Sequence, residues 1–249
     1  MAYKPKVIGV IPARYGSSRF PGKIIAPLAG KPMIQHVYQQ AVQSKMIQDL
    51  YVAVDDERVF DVVTLFGGKA IMTDPEHASG TDRIAEVIAD MDADIIVNIQ
   101  GDQPLLDPKM IDEAVAPMLR NPAMRMATLK TRIDESAFDD PGVVKVVTDL
   151  DGYALYFSRS LIPMSRDKYE VPVYEHVGLY VYRRDFLLEL ARLPETPLGK
   201  AEMLEQLKVL ENGYRIFVTE TQCDPIAGMS VDTPEDLARI ENILSVQMI

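Results

Sequence analysis

The sequence has one cysteine, Cys223, in 249 residues. A single thiol excludes an internal disulfide and a cysteine metal site. Histidine is scarce too: His36, His77 and His176 lie far apart and show no metal-ligand spacing. Positive charge is in deficit, with 26 Lys and Arg against 37 Asp and Glu, a formal net charge of −11. That balance argues against a nucleic acid or an anionic membrane as partner. No stretch approaches the ~18 uncharged apolar residues of a transmembrane helix. The early apolar run "VIGVIPA" is too short for a signal-peptide core, and Pro12 and Arg14 end it. These absences predict a soluble cytoplasmic protein with no nucleic-acid and no membrane partner.

What is present is a sizeable core, since 47% of the residues are hydrophobic. Short apolar runs alternate with helical patterns. Val7–Ala13, Leu50–Val54, Lys69–Met72 and Ala93–Gln100 read as strands. Between and after them, Pro32–Lys45, Glu57–Leu65, Thr81–Ala89 and Asp107–Leu119 read as helices. Gly67 and Gly68 close the second of these as a C-terminal cap. This βαβα alternation predicts an α/β fold, a mostly parallel sheet flanked by helices. The middle is richer in β-branched residues: "MATLKTRI", "VVKVVTD", "YALYFS" and "HVGLYVY" read as extended, with a hairpin turn at Asp151-Gly152. Helices over Arg184–Arg192 and Gly199–Asn212, the strand "YRIFVTE" and a last helix from Pro234 follow. With no repeat and no linker, the chain reads as a single domain, 1–249, with an inserted β-rich layer around 130–182.

The loop "PARYGSSRFPGK", Pro12 to Lys23, leaves the first strand. It is not a Walker A loop: five residues separate Gly16 from Gly22, and Ile24 follows the lysine. It still gathers Arg14, Arg19 and Lys23, and Gly16 and Ser17 can offer backbone N–H groups. At the carboxyl end of a strand in an open sheet, such a loop suits phosphate, although a solvated charged loop has the same composition. "NIQGDQP" puts Asp102 just past another strand, where a carboxylate facing a triphosphate is a natural magnesium ligand and also an ordinary turn residue. "SVDTPEDL" has two readings. Asp232 or Thr233 can cap the last helix, with Pro234 at its first position, and capping explains the spacing by itself. "ASGTDR" is a loop and N-cap, or a segment that shows backbone groups and Arg83 to a base.

Taken in order, "IPARYGSSRFPGK", "GKPMIQHV", "SGTDR", "VNIQGDQP", "VKVV", "YALYFSRSLIP", "HVGLYVYR", "EMLEQLKVLENG" and "VDTPEDL" resemble the CMP-Kdo synthetases, the 3-deoxy-manno-octulosonate cytidylyltransferases. The resemblance runs from about residue 7 to residue 240. It implies a Rossmann-type fold of the nucleotide-diphospho-sugar transferase kind. It also implies attack of an anomeric hydroxyl of an eight-carbon 2-keto-3-deoxy sugar acid on the α-phosphate of CTP, in lipopolysaccharide biosynthesis. By similarity Arg14, Ser17, Arg19 and Lys23 contact the triphosphate, with Arg14, Lys23, Asp102 and Asp232 the catalytic set. Cytosine is read by the Pro12-Ala13 backbone and by Ser79 to Arg83. Asp102 and Asp232 hold Mg²⁺, and Gln100 sits beside both nucleotide and sugar. Arg159 and His176 meet the sugar acid, with Tyr180, Glu205 and Gln206 on its hydroxyls. A homodimer formed through the β-rich layer is implied as well.

Three positions depart from the common pattern of that family: Gln103 and Asp82 replace glutamates, and Val181 replaces a glycine. Similar substitutions occur in the branch that resembles the 8-amino-3,8-dideoxy-manno-octulosonate enzymes. A carboxylate such as Glu175, Glu202 or Glu205 facing C8 would favour the amine. Gln103 and Asp82 lie on the nucleotide side and need not touch C8; plain Kdo, the sugar of most of that family, is the expected one and the 8-amino sugar the alternative. A sialic-acid cytidylyltransferase or a sugar-1-phosphate uridylyltransferase is disfavoured by "YALYFSRSLIP" with "EMLEQL".

Overall fold

The structure is a computed structural model that describes residues 4–17, 20–166 and 171–247. The chain divides into two compact units, 1–112 with 223–249, and 113–222. The segment expected as an insertion, 130–182, lies wholly inside the second unit, which also takes in the helices and strand that follow it.

The first unit is built on β1 (Val7–Ala13), with the two-residue strands β2 (Pro27–Leu28) and β3 (Lys31–Pro32) after it. α1 (Met33–Ala41), β4 (Asp49–Val54), α2 (Glu57–Leu65), β5 (Ala70–Met72), α3 (Gly80–Ile88) and β6 (Ile95–Asn98) follow. The strands β5, β4, β1 and β6 lie side by side, all parallel. Parallel strands are covered on their faces, so they read as near-continuous apolar runs. Val10, Ile11, Val52 and all of β6 are accordingly buried, and α1, α2 and α3 pack on β1 and β4. The fold is α/β, as expected. α1 stops at Ala41 rather than Lys45 because Asp112 intervenes: its carboxylate accepts Ser44 Oγ at 2.6 Å and the amides of Lys45 and Met46. α4 (Pro108–Arg120) runs across the boundary between the units, and α8 (Pro234–Gln247) ends the first unit.

The second unit contains β7 (Met126–Arg132), β8 (Lys145–Thr148), β9 (Ala154–Ser158), β10 (Tyr174–Arg183), α5 (Arg184–Leu190), α6 (Pro197–Glu202), α7 (Gln206–Glu211) and β11 (Phe217–Glu220). β11 runs parallel to β7, β10 antiparallel to β7, and β8 and β9 form the expected hairpin. β10 carries a bulge: Val177 pairs with Leu129, yet Tyr180 pairs with Thr128. The helix expected over Gly199–Asn212 is two helices. Met203 adopts a left-handed φ of 54°, and the carbonyls of Glu202 and Met203 accept from the Arg159 guanidinium. A tertiary hydrogen-bond set thus breaks a segment whose sequence pattern is continuous.

Phe186 of α5 is fully buried, whereas Leu65 of α2 is 88% exposed. Phe186→Ala is expected to lower unfolding free energy by about 3–5 kcal/mol, and Leu65→Ala to stay within about 0.5 kcal/mol. Urea denaturation of the two variants checks this.

Candidate functional site

The first unit holds a cavity of about 290 Å³ at the carboxyl ends of its strands. It gathers Pro12, Arg14, Ser17 and Lys23 from the loop after β1, Gln100 and Asp102 from the turn after β6, Ser79 and Arg83 from α3, and Asp232 from the approach to α8. These are residues singled out from sequence for nucleotide, metal and catalysis. Ala13 is buried beneath them, with 0% exposure. Arg19 lies outside the described residues.

Lys23 joins three of these segments. Its Nζ donates to Asp102 Oδ2 at 2.9 Å, to Asp232 Oδ1 at 3.1 Å and to the Val231 carbonyl at 2.6 Å. Burial pulls this ammonium downward, but the charge and hydrogen bond of Asp102, then those of Asp232, together hold it above its ordinary pKa. The two readings of "SVDTPEDL" separate here. Thr233 Oγ1 accepts the Asp236 amide, and the Asp236 carboxylate accepts the Thr233 and Asp232 amides, so Thr233 and Asp236 cap α8. The Asp232 carboxylate turns to Lys23 instead.

The Asp102 and Asp232 carboxylates therefore converge within reach of one cation. Among the described residues no group of three or more His, Cys, Asp or Glu gathers to hold a metal. Two carboxylates completed by phosphate oxygens is the donor set that Mg²⁺ takes, so these residues fit that ion. The charge balance agrees. Lys23 is matched by two aspartates and Arg83 by Asp55. Only Arg14, exposed in the loop, makes no ion pair among the described residues of this lining. The side chains of this lining thus supply little unmatched positive charge among the described residues.

Ser79 caps α3: its Oγ accepts the Asp82 amide at 3.1 Å, and Asp82 accepts the Ser79 amide in return. The aspartate at position 82 is thus part of a capping box. Arg83 lines the cavity but is 2% exposed, with donors on Thr73 Oγ1, the Asp74 carbonyl and Asp55. It is a wall of the site more than a free hand.

Two residues here escaped the sequence reading. Asp55 follows β4, and its Oδ1 accepts the Tyr15 amide at 2.9 Å while Oδ2 takes Arg83 at 3.3 Å. One carboxylate ties the loop after β1 to the arginine of α3. Gly22 donates to the Tyr15 carbonyl at 3.1 Å, and the Arg58 guanidinium stacks 3.5 Å over the Tyr15 ring. The loop is thereby pinned at Tyr15, next to the Gly16 and Ser17 amides. His77 also lines the cavity, its Nε2 2.5 Å from Glu86 Oε2. A doublet such as Asp55-Asp56 before a helix reads as a cap; nothing local marks one member as a tie.

Within the second unit, His176, Tyr180 and Gln206 meet. Four residues along a regular strand span about 13 Å, yet the His176 and Tyr180 rings lie 5.3 Å apart. The β10 bulge closes that distance. Gly178, inside the strand, is the sequence signal for it. Thr128 Oγ1 lies 2.8 and 3.2 Å from the Leu179 and Val177 carbonyls, which share its proton, and 3.0 Å from His176 Nε2. The imidazole is neutral: burial lowers its pKa to about 3. Tyr180 donates to Gln206 Oε1 at 3.3 Å, and burial, then the Glu205 charge, raise its pKa.

Arg159 stands in a second cluster of that unit. Its guanidinium donates to the carbonyls of Glu202, Pro141 and Met203, and makes no ion pair among the described residues. The Glu202 carboxylate accepts Ser158 Oγ, the Arg159 amide and, at 3.5 Å, the Tyr156 hydroxyl.

Asp55→Ala is expected to raise the KM for CTP about tenfold, the size of one lost hydrogen bond to a charged group. Asp55→Asn, which keeps an acceptor for Tyr15, falls between, and steady-state kinetics at saturating sugar reads both. His176 gives a pH dependence. Its folded pKa of about 3 lies below the unfolded value of about 6.5, so the unfolded chain takes the proton first. That contribution to stability is complete above pH 6.5 and declines as pH falls toward 3. Between pH 6.5 and 5 the loss approaches about 1.4 kcal/mol per unit. His176→Gln should remove this part of the slope in denaturant titrations.

The cytidylyltransferase family pattern matches residues 8–216. The chain is 53% identical over 244 residues to the 3-deoxy-manno-octulosonate cytidylyltransferase of Trichlorobacter lovleyi, covering 93% of this chain and 96% of that one. It is 54% identical over 252 residues to the protein of that name from Geobacter metallireducens, covering 96% and 98%. The solved structure of a CMP:2-keto-3-deoxy-manno-octonic acid synthetase complexed with CTP superposes with a TM-score of 0.93 at 44% identity, covering 97% of this chain and 99% of that one. With the cavity at its strand ends and this similarity along nearly its whole length, the chain belongs to the cytidylyltransferase family.

Proposed function

We propose that this cytidylyltransferase joins CTP to 3-deoxy-manno-octulosonate, giving the CMP-sugar and pyrophosphate, and that its two units work as one nucleotidyltransferase domain. The observation that carries the reading is the cavity where a cationic loop faces two converging carboxylates at strand ends. Arg14 and the amides of Gly16 and Ser17 receive the triphosphate, with Arg19 added from the loop. The Pro12-Ala13 backbone and the Ser79–Arg83 turn receive cytosine. Asp102 and Asp232 would hold Mg²⁺, which supplies charge to the phosphate oxygens and polarises the α-phosphate. Lys23 keeps those carboxylates together until the nucleotide arrives.

The sugar's anomeric oxygen attacks the α-phosphorus, and the bond to the β-phosphate's bridging oxygen breaks, so pyrophosphate leaves with the electron pair. The hydroxyl proton passes to water; no protein base is required, because positioning and charge dominate such transfers. Arg159 suits the sugar carboxylate, since carbonyls fix its fork without cancelling its charge. His176, Tyr180, Gln206 and Glu205 form the polar cluster for the hydroxyls, and Gln100 is a further sugar contact in this reading. Plain Kdo is the proposed sugar. Asp82 is engaged in a helix cap and Gln103 donates to the Gly228 carbonyl, so those departures say nothing of C8. Glu202 is already occupied by three donors.

The same reading makes the chain a cytoplasmic homodimer serving lipopolysaccharide biosynthesis. No described helix is long and apolar enough to cross a membrane. Exposed Leu155 and Met164 on the second unit support pairing through its β-rich part.

Pyrophosphate release with CTP, Mg²⁺ and a panel of 2-keto-3-deoxy sugar acids tests the assignment. Asp102→Asn should nearly abolish turnover with the fold intact. Asp232→Asn should keep the melting temperature, because Thr233 and Asp236 cap α8, and lose activity. A fully active Asp232 variant would remove it from the site. At saturating CTP the plain sugar should be turned over at least as well as its 8-amino analogue; a kcat/KM ~10-fold higher for the amine, the scale of one charge-assisted hydrogen bond, would reassign the substrate.

A further inference from the structure

Lys145, at the start of β8, has 0% exposure and is among the largest fully buried side chains. Its Nζ donates to the Asp140 carbonyl at 2.6 Å and the Arg159 carbonyl at 3.1 Å. It makes no ion pair among the described residues. Its cross-strand neighbour Glu175 has a carboxyl that burial pushes up, against the opposing pull of the Lys145 charge. A buried ammonium is costly, and an apolar side chain of similar length fills such space as well or better. A reason other than stability is needed for a charge here.

The surrounding bonds supply one. Lys145 holds the carbonyl of Asp140, and the Arg159 guanidinium holds the next one, Pro141, at 2.8 Å. Lys145 also holds the carbonyl of Arg159 itself. Two cations thus grip one turn and one of them grips the other's backbone, while the far side of the guanidinium is fixed by Glu202 and Met203.

We propose that Lys145 is a positioning residue for the sugar acid: through the Asp140–Pro141 turn and the Arg159 carbonyl it fixes the guanidinium that receives the substrate carboxylate. This rests on Arg159 being that carboxylate's partner. A guanidinium displaced by about 1 Å loses much of its productive contact.

The test compares Lys145→Met, which keeps the stem and removes the donors, with Lys145→Gln, which restores a neutral donor. Each is assayed with the sugar acid and with its neutral carboxamide. In Lys145→Met the KM for the acid should rise at least ~10-fold, with kcat changed less than about threefold and CTP affinity by calorimetry unchanged. The carboxamide should be handled as by the parent, and Lys145→Gln should recover most of the KM. An unchanged KM for the acid in Lys145→Met overturns the proposal, and so does an equal loss on acid and carboxamide. If Arg159→Ala leaves the sugar KM unchanged, the Arg159 assignment itself fails, a result separable from a null effect at Lys145 alone. If neither Lys145 variant folds, the ammonium serves the fold of the second unit and the proposal falls.

Discussion

The Lys23 ammonium between Asp102 and Asp232 is the contact on which the nucleotide side depends. Those carboxylates belong to segments 130 residues apart in sequence. Brought together without a cation they repel, and near a protein surface two unit charges at 4 Å interact by about 4 kcal/mol. Lys23 converts that repulsion into a tie among the loop after β1, the turn after β6 and the approach to α8. The Val231 amide on the Asp102 carbonyl, at 2.8 Å, adds a backbone bond to the same seam. The approach to the C-terminal helix is therefore docked by the same ammonium. A pair of aspartates stabilised by a monovalent cation is also a pair ready for a divalent one.

Sequence reading reached this site well because its pieces are local. The bounds of β1 and α2 follow from apolar runs and a glycine stop, and the residues of the loop after β1 are consecutive. What it missed depends on partners distant in the chain. α1 ends short of Lys45 because Asp112 takes the hydrogen bonds of Ser44, Lys45 and Met46 beyond it, and no signal at Lys45 reveals that. The Gly199–Asn212 pattern is a good amphipathic helix, yet Arg159 takes two carbonyls from its middle and leaves Met203 in a left-handed turn. Asp55 drew no reading from the sequence; its neighbour Asp56 is the N-cap, accepting the Arg58 amide at 2.9 Å. Which of two adjacent aspartates faces inward is decided by the exit direction of β4, a tertiary fact.

The bulge in β10 shows how a strand becomes a site. A regular strand would keep His176 and Tyr180 on one face but out of contact. Two extra residues, Gly178 and Leu179, fold that spacing up, and Thr128 accepts the cost by bonding both displaced carbonyls. The Thr128 hydroxyl also lies 3.0 Å from His176 Nε2, so the same side chain that bonds the displaced carbonyls meets the imidazole. His176 is then a neutral ring held in place between Thr128 and the rings of Phe157 and Tyr180.

The two units treat charge in opposite ways, and each treatment suits a different ligand. In the first unit the cations are matched by carboxylates: Lys23 by Asp102 and Asp232, Arg83 by Asp55. Such a site keeps little net charge of its own, so a polyanion is best received there together with a divalent cation. In the second unit Arg159 and Lys145 are held by carbonyl oxygens. A carbonyl dipole fixes direction without forming an ion pair, although Glu175 faces the Lys145 charge and Glu202 lies near Arg159. In a chain of net charge −11, a single sugar carboxylate meets general repulsion. Two cations held on carbonyls, with the Glu202 carboxylate turned to the Arg159 amide rather than its guanidinium, are the counterweight to that repulsion which the proposed reading uses.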